Sequence, residues 1–244
     1  MEVHTLRIDR RFCGPPGTAN GGYVSGRLAA HVPDPVVVRL LAPIPLDEAL
    51  RVEVASGVAR LFHDSTPVAE TRPADWHLQT PPAPTFAQAQ KATRGYLGFT
   101  EHAFPGCFVC GPQRPAGDGL RIFPGPLPGG AAVAAPWVPA ETLTTGQGAV
   151  ATEFLWAALD CTGAFAVLPV PPGRAVLLGE FGVQLQDTVA VGESCVVVGW
   201  SLGIEGRKRF AGSALYGEDG RIVGVARATW IEVAAAALRS HEEG

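Results

Sequence analysis

The chain has 244 residues, enough for one large domain or two of ordinary size. Hydrophobic residues make up 47% and charged residues 17%, which predicts a globular protein with a substantial core. The net charge of −4 gives no general attraction to nucleic acid or to an anionic membrane. The sequence has no secretory leader pattern and no apolar run of membrane-spanning length, and its five cysteines fit reduced thiols. We therefore expect a cytoplasmic protein with neither a nucleic-acid nor a membrane partner.

In the first half, turn residues separate short strand-like runs on both sides of one helix. The helix is predicted over 18–32, with Asn20 as a plausible N-cap, and it ends before Pro33. A proline-rich stretch at 81–84 marks a linker, and a short amphipathic helix is predicted over 86–97. The predicted strands cover residues 3–12, 35–41, 50–55, 59–62 and 66–76.

The second half contains a central helix predicted over 152–161, with Gly163 where a helix should end. It is apolar on nearly every side, yet it contains Glu153 and Asp160, seven residues apart on one face. A carboxylate in an apolar helix is costly unless it is paired, hydrated or used. Asp160 is therefore the first candidate for a functional residue. The predicted strands cover 120–123, 131–137, 175–185, 194–203, 209–216 and 221–233, followed by a short helical tail over 234–243.

The two halves share an element order, and their similarity is closest near the end of each half. Residues 61–76 align without a gap with residues 215–230, with Trp76 and Trp230 in register. Chance could produce one such match, but the repeated order of strand, loop, helix and strands favours an internal duplication.

One helix against a long antiparallel sheet, present twice in one chain, resembles the double hot-dog fold of acyl-CoA thioesterases. The stretch Asn-Gly-Gly-Tyr-Val at 20–24 looks like the start of the central helix in many first halves. The stretch Cys-Phe-Val-Cys-Gly-Pro at 107–112, continuing to Gly-Asp-Gly-Leu at 117–120, resembles the segment that leads into such domains. Trp-Ala-Ala-Leu-Asp at 156–160 matches the place where members carry their catalytic acid. The resemblance implies an α+β protein of two tandem hot-dog domains.

Single hot-dog thioesterases often have His-Gly-Gly at the helix start and an Asp nine residues after the His. Asn20 and the two glycines after it fit that start, but Ala29 occupies the acid position. Asp160 fits the acid, but Ala151 lies nine residues before it. The resemblance therefore implies one composite site at the seam between the halves, with the glycine turn from the first and the acid from the second. The symmetric site containing Ala29 should be inactive.

In such a site Asp160 would be the general base to water or, as the alternative, the nucleophile. The amides of Gly21 and Gly22 at a helix N-terminus could form an oxyanion hole, or the glycines could serve close helix packing alone. Asn20 could contact substrate or only cap the helix. Glu153 could take part in catalysis or be an ordinary first-turn acid.

Other candidates come from the strand after the central helix and from the densest basic run. Related enzymes place polar groups that position water on this strand, which makes Glu180 and Gln184 candidates. The late Gln of related two-domain enzymes is replaced by Ala228. The basic run Arg207, Lys208 and Arg209 could bind the phosphates of coenzyme A or be a solvated hairpin end.

The pair Cys107 and Cys110 has the spacing of zinc ligands, but the sequence offers no second cysteine pair and only His102 nearby. Cys161 is interpreted as a small buried residue. We therefore expect neither a metal nor a cofactor.

The sequence thus predicts an N-terminal hot-dog domain over 1–80, a linker with a short helix over 81–103 and a C-terminal hot-dog domain over 104–244. The predicted function is hydrolysis of an acyl-CoA thioester with a fatty or aromatic acyl group, in a possible homodimer. The alternatives are an acyl-thioester binding protein without activity and a hot-dog hydratase or dehydratase.

Overall fold

The computed structural model describes residues 1–33, 35–144 and 146–239. Eleven strands form one antiparallel sheet in the order β1-β3-β4-β5-β2-β8-β11-β10-β9-β7-β6. The strands are β1 Glu2–Leu6, β2 Val36–Leu40, β3 Leu50–Ala55, β4 Val58–His63, β5 Thr66–Pro73, β6 Gly125–Pro126, β7 Ala132–Trp137, β8 Arg174–Leu185, β9 Cys195–Glu205, β10 Lys208–Tyr216 and β11 Ile222–Ala234. The helices are α1 Gly21–Ala29, α2 Phe86–Thr93, α3 Thr152–Ala166 and α4 Ala236–Arg239; the rest of the predicted tail, beyond 239, lies outside the described residues.

The strand order repeats between the halves. Read from the outer edge inward, the first half runs β1-β3-β4-β5-β2 and the second runs β6-β7-β9-β10-β11-β8. When the two-residue edge strand β6 is left out, the halves have the same order, because β7 to β11 take the places of β1 to β5. The halves join where β2 pairs with β8, from Val36 opposite Val183 to Arg39 opposite Glu180. This repetition agrees with an internal duplication; the domain boundaries drawn from the sequence stay a prediction.

Helices α1 and α3 lie against each other on one face of the sheet. A Cβ atom placed on Gly22 would lie 2.5 Å from the Cβ of Asp160, and one placed on Gly26 would lie 2.8 Å from the Cα of Glu153. The two contacts run in opposite directions along the helices, so α1 and α3 are antiparallel. Because glycine has no side chain, the two backbones approach more closely here than other residues would allow.

The N-terminus of α1 is formed as predicted, whereas the predicted end of α3 is wrong. Asn20 caps α1 through its side-chain oxygen, which accepts a hydrogen bond from the Tyr23 N–H at 2.9 Å. Helix α3 continues past Gly163 to Ala166. A Cβ on Gly163 would lie 3.3 Å from the Trp230 indole nitrogen. This glycine therefore sits at a close helix–sheet contact and does not end the helix.

The predicted strand over 120–123 is also wrong. Arg121 has a left-handed φ of 54°, which interrupts an extended strand. The N–H groups of Leu120 and Ile122 donate instead to the carbonyls of Phe108 and Val109, at 2.9 and 3.0 Å. These two hydrogen bonds attach the segment to the loop that contains Cys107 and Cys110.

The main core fills the space between the helices and the facing side of the sheet, where Trp156 of α3 contacts Phe181 of β8. A smaller apolar cluster lies on the opposite side of the sheet. There Ala89 of α2 joins Trp76, Val198 and Trp200. Among the described residues, no helix is both long and apolar enough to cross a bilayer.

Candidate functional site at the helix seam

Asp160 of α3 is hydrogen-bonded to the N-terminus of α1, so the acid of the second half meets the glycine turn of the first. Its Oδ2 accepts a hydrogen bond from the Asn20 side-chain amide at 2.9 Å and another from the Gly22 N–H at 3.0 Å. The Asn20 amide can make this bond because its oxygen already caps the helix at Tyr23. The structure therefore brings three of the predicted site residues into one network.

The environment of this carboxylate is unusual for an acid. Asp160 is 2% exposed, and its Oδ1 has no hydrogen-bond partner among the described residues. Burial and the nearby Cys107 raise the pKa of Asp160 to about 7, although the bonds from Gly22 and Asn20 oppose the shift. Cavities open beside Arg121 and beside Arg221, and Asp160 lines neither. One oxygen is thus anchored and the other is buried without a partner.

The two glycines have different positions in this arrangement. The N–H of Gly22 is occupied by Asp160 and is not available to a substrate oxygen, contrary to the expectation of a two-amide oxyanion hole. Gly21 is half-buried, and its N–H, at the first position of α1, has no acceptor within the described part of the chain. A Cβ on Gly21 would meet the side chains of Leu178 and Leu40, so this amide lies beside two partly exposed leucines.

The symmetric position lacks this network. Ala151 is the N-cap residue of α3 but makes no side-chain cap, and the buried Ala29 occupies the place of the acid in α1. Glu153 lies beside Gly26, two turns of α3 from Asp160, or about 10 Å along the helix axis. The structure does not bring Glu153 to Asp160.

Glu180 and Gln184 lie on the side of the sheet opposite the helices. They alternate along β8 with Phe181 and Val183, which belong to the main core. Glu180 forms an ion pair with Arg72 at 3.3 Å, and the Gln184 amide donates to the Trp76 carbonyl at 3.1 Å. Since a strand directs successive side chains to opposite faces, neither residue is placed with Asp160.

The basic run divides into exposed and buried members. Arg207 and Lys208 are exposed at the turn between β9 and β10. Arg209 is 8% exposed and donates two hydrogen bonds to Glu232, at 3.2 and 2.8 Å, and a third to the Val167 carbonyl at 2.9 Å. The guanidinium of Arg209 is therefore committed within the fold and not available for a coenzyme A phosphate.

Three cysteine thiols lie next to this site. The Asn20 amide nitrogen that binds Asp160 is also 3.9 Å from the Cys107 sulfur, and the Cys107 and Cys161 sulfurs are 3.7 Å apart. The sequence separates Cys161 from Cys107 and Cys110 by half a domain, so spacing alone could not group them. The one indication in the sequence that Cys161 lies near the candidate site is that it directly follows Asp160.

Comparison with known structures identifies the architecture. The tesB protein of Mycobacterium avium subsp. paratuberculosis superposes with a TM-score of 0.62 at 12% identity, over 95% of this chain and 93% of that one. The fold is a double hot-dog. A thioesterase superfamily member from Thermus thermophilus matches 46% of this chain and 87% of its own, with 18% identity and a TM-score of 0.43. A hypothetical thioesterase with coenzyme A from Streptococcus pneumoniae matches 43% of this chain and 82% of its own, with 12% identity and a TM-score of 0.39.

No protein-family model and no curated protein sequence matches the chain. Within the double hot-dog fold, α1 and α3 are the two central helices, and Asp160 lies where they meet. Ala228, in β11, is buried and lies opposite Phe181 of β8. No side chain at this position can hold a water molecule through a hydrogen bond.

Proposed function

We propose that the chain hydrolyses an acyl-CoA thioester at the seam between α1 and α3. The observation that carries the proposal is the hydrogen bonding of Asp160 by Asn20 and Gly22, which joins an acid from one half to a helix N-terminus from the other. The double hot-dog fold, shared with the tesB protein, is consistent with this chemistry but does not assign it.

Each group at the seam has a distinct task in the proposed reaction. The bonds from Asn20 and Gly22 orient the Asp160 carboxylate. Its Oδ1 is buried, so the seam must open to admit the water from which Oδ1 accepts a proton. That water attacks the thioester carbonyl, while the Gly21 N–H and the positive end of α1 stabilise the negative charge on its oxygen. The tetrahedral intermediate then expels the coenzyme A thiolate, which takes up the proton held by Asp160. The products are a carboxylic acid and free coenzyme A.

The acyl group is proposed to lie along the partly exposed edge formed by Gly21, Leu40 and Leu178. The absence of a side chain at Gly21 lets the carbonyl approach the helix backbone, and the two leucines provide an apolar surface beside it. This apolar surface favours a fatty or aromatic acyl group over a small polar one.

A free-thiol release assay over a panel of acyl-CoA esters tests the proposal. Replacement of Asp160 by Asn keeps the size of the side chain but removes the base, so the rate should fall by about 100-fold or more. Asp64→Asn is the matched control, because the Asp64 side chain is 92% exposed on a β-turn. Wild-type turnover in a folded Asp160→Asn protein would refute the role of Asp160.

A second candidate function is acyl-thioester binding without turnover. It is favoured by the burial of Asp160 and by the loss of the Gly22 N–H to that carboxylate. Calorimetric titration with the same esters separates the two functions. Saturable binding with no thiol release in the wild type would select the binding protein, whereas thiol release that depends on Asp160 selects the hydrolase.

A further inference from the structure

Three buried cysteines from two distant parts of the chain form a cluster beside the helix seam. Cys107 and Cys110 lie in the loop before β6, and Cys161 lies in α3. Their three sulfur atoms lie within 4.8 Å of one another. All three are free thiols, so the cluster offers three soft ligand atoms in one place.

The spacing of the sulfurs matches tetrahedral zinc coordination. Two sulfurs, each 2.3 Å from a zinc ion at the tetrahedral angle, lie about 3.8 Å apart. The separation of the Cys107 and Cys161 sulfurs is 3.7 Å, whereas a disulfide requires about 2.05 Å. The side chains therefore need little movement to bind an ion and must move much further to form a disulfide.

The loop that holds Cys107 and Cys110 is tightly closed. The Gly111 N–H donates to the Cys107 carbonyl at 2.9 Å, and a Cβ on Gly111 would lie 2.5 Å from that same oxygen. A residue with a side chain does not fit this turn. The backbone thus fixes the two sulfurs of the Cys-x-x-Cys pair on the same side, as a metal site requires.

Two neighbouring side chains, His102 and Asp160, could supply a fourth ligand, and their hydrogen bonds decide between them. The ring Nδ1 of His102 accepts a hydrogen bond from the Phe104 N–H, so in the neutral ring Nε2 carries the proton and has no lone pair for a metal. Asp160 is adjacent to Cys161, and its Oδ1 is buried without a partner. The Asn20 amide nitrogen donates to the other Asp160 oxygen and lies 3.9 Å from the Cys107 sulfur, so the carboxylate is near the cluster, although neither of its oxygens lies within 4.8 Å of all three sulfurs.

We propose that Cys107, Cys110 and Cys161 bind a zinc ion, and that the Asp160 side chain moves to bring Oδ1 to the ion as the fourth ligand. The ion joins the loop before β6 to α3 and provides the buried oxygen with a partner. The site does not depend on the proposed hydrolysis. Because a zinc-bound Asp160 does not accept a proton from water, hydrolysis belongs to the metal-free form of the chain, and the thiol-release assay is run on protein from which a chelator has removed the metal.

The test measures zinc in the full-length protein, purified without chelators from cells grown with added zinc. The wild type should contain about one zinc per chain, and replacement of the zinc by Co²⁺ should produce a near-ultraviolet thiolate-to-metal band. Cys161→Ser should reduce the zinc content several-fold, since the loss of one thiolate ligand weakens the site. Cys195→Ser is the matched control, because Cys195 is equally buried at the start of β9, outside the cluster.

Stability provides a second measurement in case Cys161→Ser folds poorly. Removal of zinc with a chelator should lower the urea midpoint of the wild type and of Cys195→Ser. Asp160→Asn should keep the thiolate band but bind zinc more weakly, and equal affinity would exclude Asp160 as the fourth ligand. A folded wild type with reduced thiols that takes up no zinc from excess would overturn the site. So would a Cys107–Cys161 disulfide found by mass spectrometry, or full zinc content in Cys161→Ser.

Discussion

At the scale of single residues, Gly22 shows how one position can serve both packing and the candidate site. Because Gly22 has no side chain, the Cβ of Asp160 can lie 2.5 Å from where a Cβ on Gly22 would be, and the Gly22 N–H donates to the same carboxylate. The sequence left packing and amide donation as alternatives for this residue. In the structure Gly22 does both, because it packs against Asp160 and its N–H donates a hydrogen bond to the Asp160 carboxylate.

Gly22→Ala should therefore destabilise the protein by about 1–3 kcal/mol, because the new methyl group overpacks the contact with Asp160. The gain in helix propensity from alanine, up to about 1 kcal/mol, only partly offsets this cost. Urea unfolding of both proteins measures the difference.

Gly21→Ala is the matched control for this change. Its Cβ would meet only the side chains of Leu178 and Leu40, which can move, so its cost should be smaller. Equal losses from the two substitutions would show that the contact with Asp160 is not the cause.

At the scale of elements, the period-two alternation of β8 already held the information that separates Glu180 and Gln184 from the core. Phe181 and Val183 are apolar and face the helices, so the residues between them must face the other way. Glu180 and Gln184 were chosen because they lie on β8, without considering which face of the sheet their side chains point to. That choice could not show whether they share a site with Asp160. The same limit applies to the basic run, where the sequence does not reveal that Arg209 alone is buried.

Arg209 connects three elements through its guanidinium. It donates hydrogen bonds to Glu232 of β11 and to the carbonyl of Val167, the C-cap residue of α3, where its positive charge interacts favourably with the helix dipole. Arg209→Gln should cost about 1–3 kcal/mol, because the buried Val167 carbonyl loses its donor while Arg174 still pairs with Glu232.

Arg207→Gln should change the free energy of unfolding by less than about 0.5 kcal/mol, since Arg207 is exposed at the same hairpin. Urea midpoints of the two variants and the wild type provide the comparison. If both variants lost equal stability, a general effect of charge in this hairpin would replace the specific role of Arg209.

At the scale of the whole molecule, most of the fold was predictable because local patterns specify it. Alternation and turn residues located most of the strands in both halves, and the N-cap Asn20 located the start of α1. The meeting of Asp160 with Asn20 followed from the resemblance together with the duplication. The cysteine cluster could not be predicted, because contacts between sequence-distant buried residues depend on packing that no local pattern encodes.

Acid should destabilise the folded protein, because arginine side chains and backbone N–H groups lower the pKa of carboxyls in both halves. The Arg10 side chain lowers the pKa of Asp47, the Arg221 side chain lowers that of Glu193, and the Arg221 backbone N–H and then its side chain lower that of Asp219. A carboxyl with a lowered folded pKa contributes stability that is present above its unfolded pKa of about 4 and lost as pH falls through the folded value. The urea midpoint should therefore decrease as pH falls from about 4 toward 2.

Arg221→Gln isolates one such cluster, because the arginine also pairs with Asp187 at 2.7 Å, where the Thr188 N–H and then Arg221 lower the pKa of the carboxyl. The variant should be less stable than the wild type at pH 7, and the gap should narrow near pH 2, where the carboxyls are protonated in both proteins. Arg94→Gln is the control, since Arg94 makes no ion pair within the described residues and should give no gap that depends on pH. If the stability difference between Arg221→Gln and the wild type stayed constant from pH 7 to 2, pairing with carboxylates would be excluded as its source, because a protonated carboxyl forms no ion pair.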